Sequence, residues 1–159
     1  MYTVRKARRE DIPALLDLLV QVDMVHHNGR PDLFKGPTTK YSEAELEELL
    51  AEENENKPVF VCADESRKIV GHGFCEIQIP ENTRLMVPCR TLYVDDICVD
   101  ENARGNHAGR ALYEHIEQYA KEAGCARLTL NVWTCNPGAM RFYEKMGLEP
   151  YRVSLEKVL

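Results

Sequence analysis

Apolar residues recur along this chain with two different periods, and the places where the period switches mark out its elements. Residues 2–6 read as a short first strand. Asp11 stands where it can cap a helix that tolerates Pro13 in its first turn, with Leu15, Leu16, Leu19 and Val20 along one side. The periodicity then lapses from His26-His27-Asn28-Gly29-Arg30-Pro31-Asp32 to Tyr41, which predicts a loop of about fifteen residues, long enough to suggest a lid or a binding role. Ser42 and Glu45 have the spacing of a capping box, so an acidic helix is expected from there to about Glu53.

Strand patterns follow at Pro58 to Ala63 and Ile69 to Ile79, joined by the polar turn Asp64-Glu65-Ser66-Arg67. After a connection bounded by Pro80 and Arg90, Thr91 to Val99 is a further strand. Ala108 to Ala123 is the clearest helix, with Leu112, Ile116, Tyr119, Ala120 and Ala123 on one face and Gly124 to end it. Arg127 to Trp133 reads as a strand, Pro137 to Met146 as a short helix stopped by Gly147, and Leu148 to Leu159 as a strand-like tail. Strands in the middle, with a helix crossing between two of them, predict an α/β fold (mixed α+β) built on one central sheet.

The 159 residues suit a single domain spanning 1–159, and 44% hydrophobic with 29% charged residues is a globular composition. A net charge of -6 gives no attraction to a phosphate backbone, so no nucleic-acid partner is expected. It would instead favour cationic partners such as polyamines, amino sugars or lysine-rich peptides. The polar first ten residues lack the core of a signal peptide, and no apolar run reaches the ~20 residues of a membrane span. Neither a membrane nor a secreted setting is expected, and the reading is cytoplasmic. Six cysteines at irregular spacing, none in a C-x-x-C pair, read as free thiols rather than a metal site.

Two segments carry chemistry. Val99-Asp100-Glu101-Asn102-Ala103-Arg104-Gly105-Asn106-His107-Ala108-Gly109-Arg110 leads from a strand into the strongest helix. A turn of small residues before a helix N-terminus presents unpaired N–H groups and the positive dipole end to a bound anion, with Arg104 and Arg110 adding charge at either end. The other reading is an ordinary strand–turn–helix connection. Downstream, Leu130 to Leu148 contains Asn136, Ala139, Phe142, Tyr143, Gly147 and Leu148 in the order N-x-x-A-x-x-F-Y-x-x-x-G-hydrophobic.

Taken together, the R-x-x-G-x-G-like turn and the downstream run resemble the GNAT superfamily of N-acetyltransferases over roughly residues 90–150. That resemblance implies a twisted, mostly antiparallel sheet flanked by helices, and acetyl-CoA as cosubstrate with no metal. It also implies a pantetheine arm along the main chain of Ile97, Cys98 and Val99, and a pyrophosphate held by the amides of Arg104, Gly105, Asn106, His107, Ala108, Gly109 and Arg110. One departure stands out: His107 occupies a position where the family has Gly, and keeps its N–H on the phosphate only if its backbone is close to helical.

Resemblance further implies direct attack of a neutral primary amine, on a small molecule or a peptide, without an acyl-enzyme. Tyr143 resembles the acid that protonates the thiolate, and Asn136 the pantetheine-contacting Asn, while also standing as an N-cap before Pro137. For the base, Asp95 and Asp96 lie mid-strand, where alternation sends one to the cleft and the other away. Glu76 and relayed bulk water are further candidates. His26 and His27 could serve as bases or specificity groups in their loop, or be merely exposed. Cys98 reads as packed, and Trp133 as sheet surface or a dimer contact. The alternative to an enzyme is a GNAT-like module that binds coenzyme A thioesters without turnover. Exposed sheet edges leave room for a homodimer.

Overall fold

The computed structural model describes residues 1–51, 54–79 and 84–159. Its elements run β1 (Thr3–Lys6), α1 (Ile12–Gly29), α2 (Glu43–Ala51), β2 (Val59–Ala63), β3 (Ile69–Gln78), β4 (Thr91–Val99), α3 (Ala108–Glu122), β5 (Arg127–Leu130) and α4 (Pro137–Lys145). The strands form one sheet in the order β1-β2-β3-β4-β5, antiparallel up to β4 and parallel between β4 and β5. Among the described residues, no helix is long and apolar enough to cross a membrane.

Period-two alternation places one core on each face of the sheet. On one side Phe60, Cys62, Cys75, Ile77, Leu92 and Val94 meet Leu112, Ile116 and Ala120 of α3. On the other, Val59, Val61 and Phe74 meet Ile12, Leu15 and Leu19 of α1 and Leu46 of α2. β2 is buried at every position because both layers press on it. A side chain at Gly73 would strike Ile116 Cδ1 at 2.6 Å, so the central strand is thinned to seat α3.

Helix ends follow local chemistry. Ser42 and Glu45 form the reciprocal box, with Ser42 N to Glu45 Oε2 at 2.7 Å and Glu45 N to Ser42 Oγ at 3.2 Å. The far end of this helix, expected near Glu53, lies outside the described residues, as do 80–83 of the next connection. Gly124, at φ +72°, ends α3 in the left-handed region.

Three expectations need correction. α1 continues to Gly29, so His26 and His27 lie on its last turn and not in a loop. β5 stops at Leu130 instead of reaching Trp133, because pairing with β4 ends at Val94↔Leu130 and the two strands then part. Residues 148–159 belong to no strand.

Asp11 stands at the N-cap position of α1 yet makes no side-chain cap. Its carboxylate is 5% exposed and accepts from both Arg5 guanidinium nitrogens, at 2.7 and 2.9 Å, and from Arg8 N at 2.8 Å. Burial alone would raise its pKa, but these donors outweigh burial and hold it below the ordinary carboxylate value. A depressed folded pKa contributes stability that is present above the unfolded value and lost as pH falls through the folded one. Asp11→Asn is therefore expected to cost about 2–3 kcal/mol near pH 7, read by urea unfolding, with the deficit closing as pH falls below the ordinary carboxylate range. A deficit independent of pH would show that the ion pair is not its source.

Candidate active site

Asp95 and Asp96 do not point to opposite faces. The β3–β4 register runs Phe74↔Asp96 and then Cys75↔Val94, so Asp95 is an extra residue, a β-bulge. Before it, Leu92 and Val94 face α3; after it, Ile97 and Val99 do. The bulge shifts the alternation by one, and both carboxylates reach the α1/α2 face.

On that face the two acids have different neighbours. Asp95 Oδ2 accepts from Tyr41 Oη at 3.2 Å and pairs with Lys40 Nζ at 2.6 Å. Tyr41 stacks on Phe74, with ring centroids 5.1 Å apart. Burial and then the Asp95 charge push the Tyr41 phenol up to about 12, so it remains a hydrogen-bond donor at neutral pH. Tyr41, Leu49, Val59, Phe74, Glu76 and Asp95 line a pocket of about 110 Å³. Glu76, the third carboxylate, shares this pocket and faces Lys57 Nζ at 3.8 Å.

Asp96 is more enclosed and accepts from His72 Nε2 at 3.3 Å. His72 is fully buried, and its Nδ1 has no hydrogen-bond partner among the described residues. Sequence alone does not single out His72, because a lone His in the Gly-rich apolar run Ile69 to Phe74 looks like packing. Its one signal was position, beside the Gly73 thinning and two residues before the Phe opposite Asp96.

Tyr143 comes from α4 and is 8% exposed. Burial, and then the charge of Asp96, drive its phenol far above the usual tyrosine value, so it stays protonated. Cys98 lies close enough to Tyr143 to add to that shift, and burial pushes its own thiol up to about 12. A thiol held neutral is a packing group and not a nucleophile. α4 begins at Asn136, whose Oδ1 accepts from Ala139 N at 3.2 Å, the capping role expected of it.

Beyond Val94 and Leu130, β4 and β5 no longer pair, while β3 still covers the other edge of β4 through Gly71↔Val99. Ile97, Cys98 and Val99 thus have no β5 residue paired beside them. The chain goes on to the entrance of α3, where Gly105 (φ +80°) and His107 (φ +67°) both adopt left-handed backbone. His107 is therefore not near-helical, as the sequence reading required, but takes the conformation a glycine would. The first intrahelical bond to form is Ala111 N to His107 O at 3.0 Å, so the amides of Ala108, Gly109 and Arg110 lack helical acceptors. Nothing stands within 4 Å of where a Gly105 Cβ would be, which leaves the turn open on that side. Arg104 Nε donates to Val99 O at 3.0 Å, and Arg110 pairs with Glu114 at 2.7 Å on the exposed side of α3.

His26 and His27 hold the segment after α1 in place. His27 Nδ1 lies 2.8 Å from Phe34 O, His26 stacks on the Phe34 ring at 5.1 Å, and Trp133 meets that ring edge-on at 5.0 Å. No group of three or more His, Cys, Asp or Glu side chains could hold a metal ion among the described residues.

Comparison with known proteins bears on this arrangement. A family model described as acetyltransferase (GNAT) family matches residues 24–148. An uncharacterized N-acetyltransferase from Methanocaldococcus jannaschii is 26% identical over 152 residues, 96% of this chain and 62% of that protein. A probable glucosamine 6-phosphate N-acetyltransferase from Oryza sativa subsp. japonica is 36% identical over 55 residues, 35% of this chain and 31% of that protein. The chain thus spans 62% and 31% of the lengths of these two curated relatives. Among solved structures, a tetramutant of the BH1408 protein from Bacillus halodurans superposes with a TM-score of 0.92 at 27% identity, each chain covered to 99%.

Proposed function

The chain belongs to the GNAT acetyltransferase family, and on that premise we propose that it moves the acetyl group of acetyl-CoA directly to a primary amine of a small molecule or peptide. The observation that carries this reading is the bulge: it brings two carboxylates to one face of β4, and one of them, Asp96, lies within electrostatic reach of Tyr143.

In this reading the unpaired stretch Ile97, Cys98 and Val99 takes the pantetheine arm, whose amides pair with the strand edge that β5 leaves free. The amides from Arg104 to Arg110 take the pyrophosphate at the α3 entrance, where the dipole and two left-handed residues turn N–H groups outward. The fit is backbone-driven, since Arg104 is turned onto Val99 O and Arg110 onto Glu114. Asn136 gives its oxygen to the cap, so only its NH2 remains to reach the arm.

Asp96, held in orientation by His72, serves as the base that takes a proton from the acceptor's ammonium and so frees the neutral amine that attacks. Asp95, already paired to the Lys40 ammonium, anchors a cationic acceptor in the Tyr41–Phe74 pocket. Tyr143 gives its proton to the departing thiolate. Each step is direct: the amine nitrogen bonds to the carbonyl carbon as the C–S bond breaks, so no acyl-enzyme on Cys98 is required. An amino sugar, the substrate in the name of the rice relative, is one amine of this class. A reducing, cytoplasmic setting suits the six free thiols.

Thiol release from acetyl-CoA, measured with amino sugars, polyamines and lysine peptides, tests the reading. At least one amine should give saturable turnover with a product 42 Da heavier, the mass of an acetyl group replacing hydrogen. Binding of acetyl-CoA without acceptor-dependent release would point to a module that holds the thioester instead.

The left-handed His107 carries a prediction of its own. An L-residue there costs about 1 kcal/mol that glycine avoids. His107→Gly is expected to raise Tm by about 2–4 °C and to leave acetyl-CoA affinity unchanged or tighter. A marked loss of affinity would show that the imidazole itself grips phosphate.

A further inference from the structure

Lys40 is held to its carboxylate more closely than Lys57, Lys68 or Lys121. Its Nζ lies 2.6 Å from Asp95 Oδ2, whereas theirs stand 3.8, 3.8 and 3.1 Å from Glu76, Asp100 and Glu117. The segment that delivers it is fastened on both sides. Thr38 N donates to Asp23 Oδ2 of α1 at 3.2 Å, Thr39 Oγ1 donates to Tyr41 O at 2.8 Å, and Tyr41 lies on the Phe74 ring. Tyr41 Oη donates to the same Asp95 oxygen at 3.2 Å. The chain thus lays an amine of its own on the bulge.

What matters is what else ends at the bulge. β5 pairs with β4 up to Val94↔Leu130, and Asp95 is the first residue beyond that pairing. With the pyrophosphate at Arg104 to Arg110, the pantetheine arm runs back along Val99, Cys98 and Ile97. Its thioester end then comes to Asp96 and Asp95, where paired sheet resumes. Lys57 is the internal comparison, since it lines the pocket beside Glu76. Glu76 stands opposite Tyr93, which is still paired with Thr129 of β5, so β4 has no free edge there.

Resting on the acetyl-transfer reading, we propose that Lys40 is itself an acceptor: with no free amine present, the chain acetylates its own Lys40 side chain. One ammonium proton passes to Asp95 and on to solvent. The nitrogen bonds to the carbonyl carbon as the C–S bond breaks, leaving the electron pair on sulfur. Tyr143 protonates that thiolate and regains a proton from the nitrogen, so the products are Nε-acetyl-Lys40, the coenzyme A thiol and one released proton. An amine held by its own segment needs no encounter, which favours it over better exposed lysines. Acetyl-Lys40 has no charge to pair with Asp95, which leaves that carboxylate to the cation of an incoming acceptor.

Incubation of the unacetylated full chain with acetyl-CoA and no amine, followed by peptide mass mapping, tests this. Lys40 should gain one acetyl group about tenfold or more faster than Lys57, Lys68 or Lys121, although its side chain is 46% exposed and theirs are 55%, 64% and 63%. The rate per molecule should hold on dilution of the protein, as a step within one chain requires. S-acetyl-N-acetylcysteamine, a thioester without the pyrophosphate end, should acetylate Lys40 no faster than the other three. Equal rates at all four lysines with acetyl-CoA, a rate that falls on dilution, or the same Lys40 preference with the truncated thioester would each overturn the proposal. The amine panel, run alongside, keeps the two failures apart. An amine that turns over while Lys40 reacts no faster than its neighbours overturns self-acetylation alone, and no reaction at either overturns acetyl transfer with it.

Discussion

Tyr143→Phe is expected to lower kcat by about 10²–10⁴-fold while leaving acetyl-CoA affinity nearly unchanged. The substitution removes one oxygen from a side chain that is 8% exposed, so packing of α4 against the sheet survives. In the proposed mechanism it removes the proton that the leaving sulfur would receive. Burial and the Asp96 charge keep that phenol protonated beyond its ordinary range. The wild-type rate should therefore show no alkaline limb from this tyrosine below about pH 10, the unperturbed value. Steady-state kinetics with the best amine from the panel give the answer. An unchanged kcat would remove Tyr143 as the acid, and a collapse of acetyl-CoA affinity would make it a binding group.

Asp96→Asn and Asp95→Asn are expected to fail in different ways although the residues are adjacent. Asp96→Asn should cut kcat by about 10²-fold or more with KM little changed, because an amide cannot take the acceptor's proton. Asp95→Asn should act mainly through KM: Asp95 sits in the pocket wall with Tyr41 and pairs with Lys40, where it would hold the acceptor's charge. Its carboxamide can still accept from Tyr41, which preserves the wall. The reverse pattern, with kcat lost only in Asp95→Asn, would assign the base to the bulged residue. Equal and small effects in both would leave Glu76 or water.

The order of elements was legible because it rests on short-range periodicity. Thr91 to Val99 and the start of α3 at Ala108 fall where the pattern set them, and the Ser42–Glu45 box and the Asn136 cap are formed. The misplacements share a cause, which is that pairing between distant segments overrode the local pattern. Alternation alone separates Asp95 from Asp96, and only the partner strand's register inserts the bulge that unites them. β5 halts at Leu130, where its pairing with β4 ends, which nothing in Asn131-Val132-Trp133 announces. His26 and His27 looked like loop residues because Asn28-Gly29 is a turn signal, yet Phe34 folds back onto them and α1 runs on. His72 was invisible for a further reason. Its meaning comes from Asp96, twenty-four residues away, and from the unpartnered Nδ1, which are facts of the folded chain.

Calorimetric titration of the purified protein with acetyl-CoA, and separately with coenzyme A, in reducing buffer tests the central claim most directly. Saturable micromolar binding of acetyl-CoA is the predicted result, since the free edge of β4 and the open amides of α3 supply a backbone site despite His107. No heat of binding across that range would contradict it, and the acetyl-transfer reading of this chain with it.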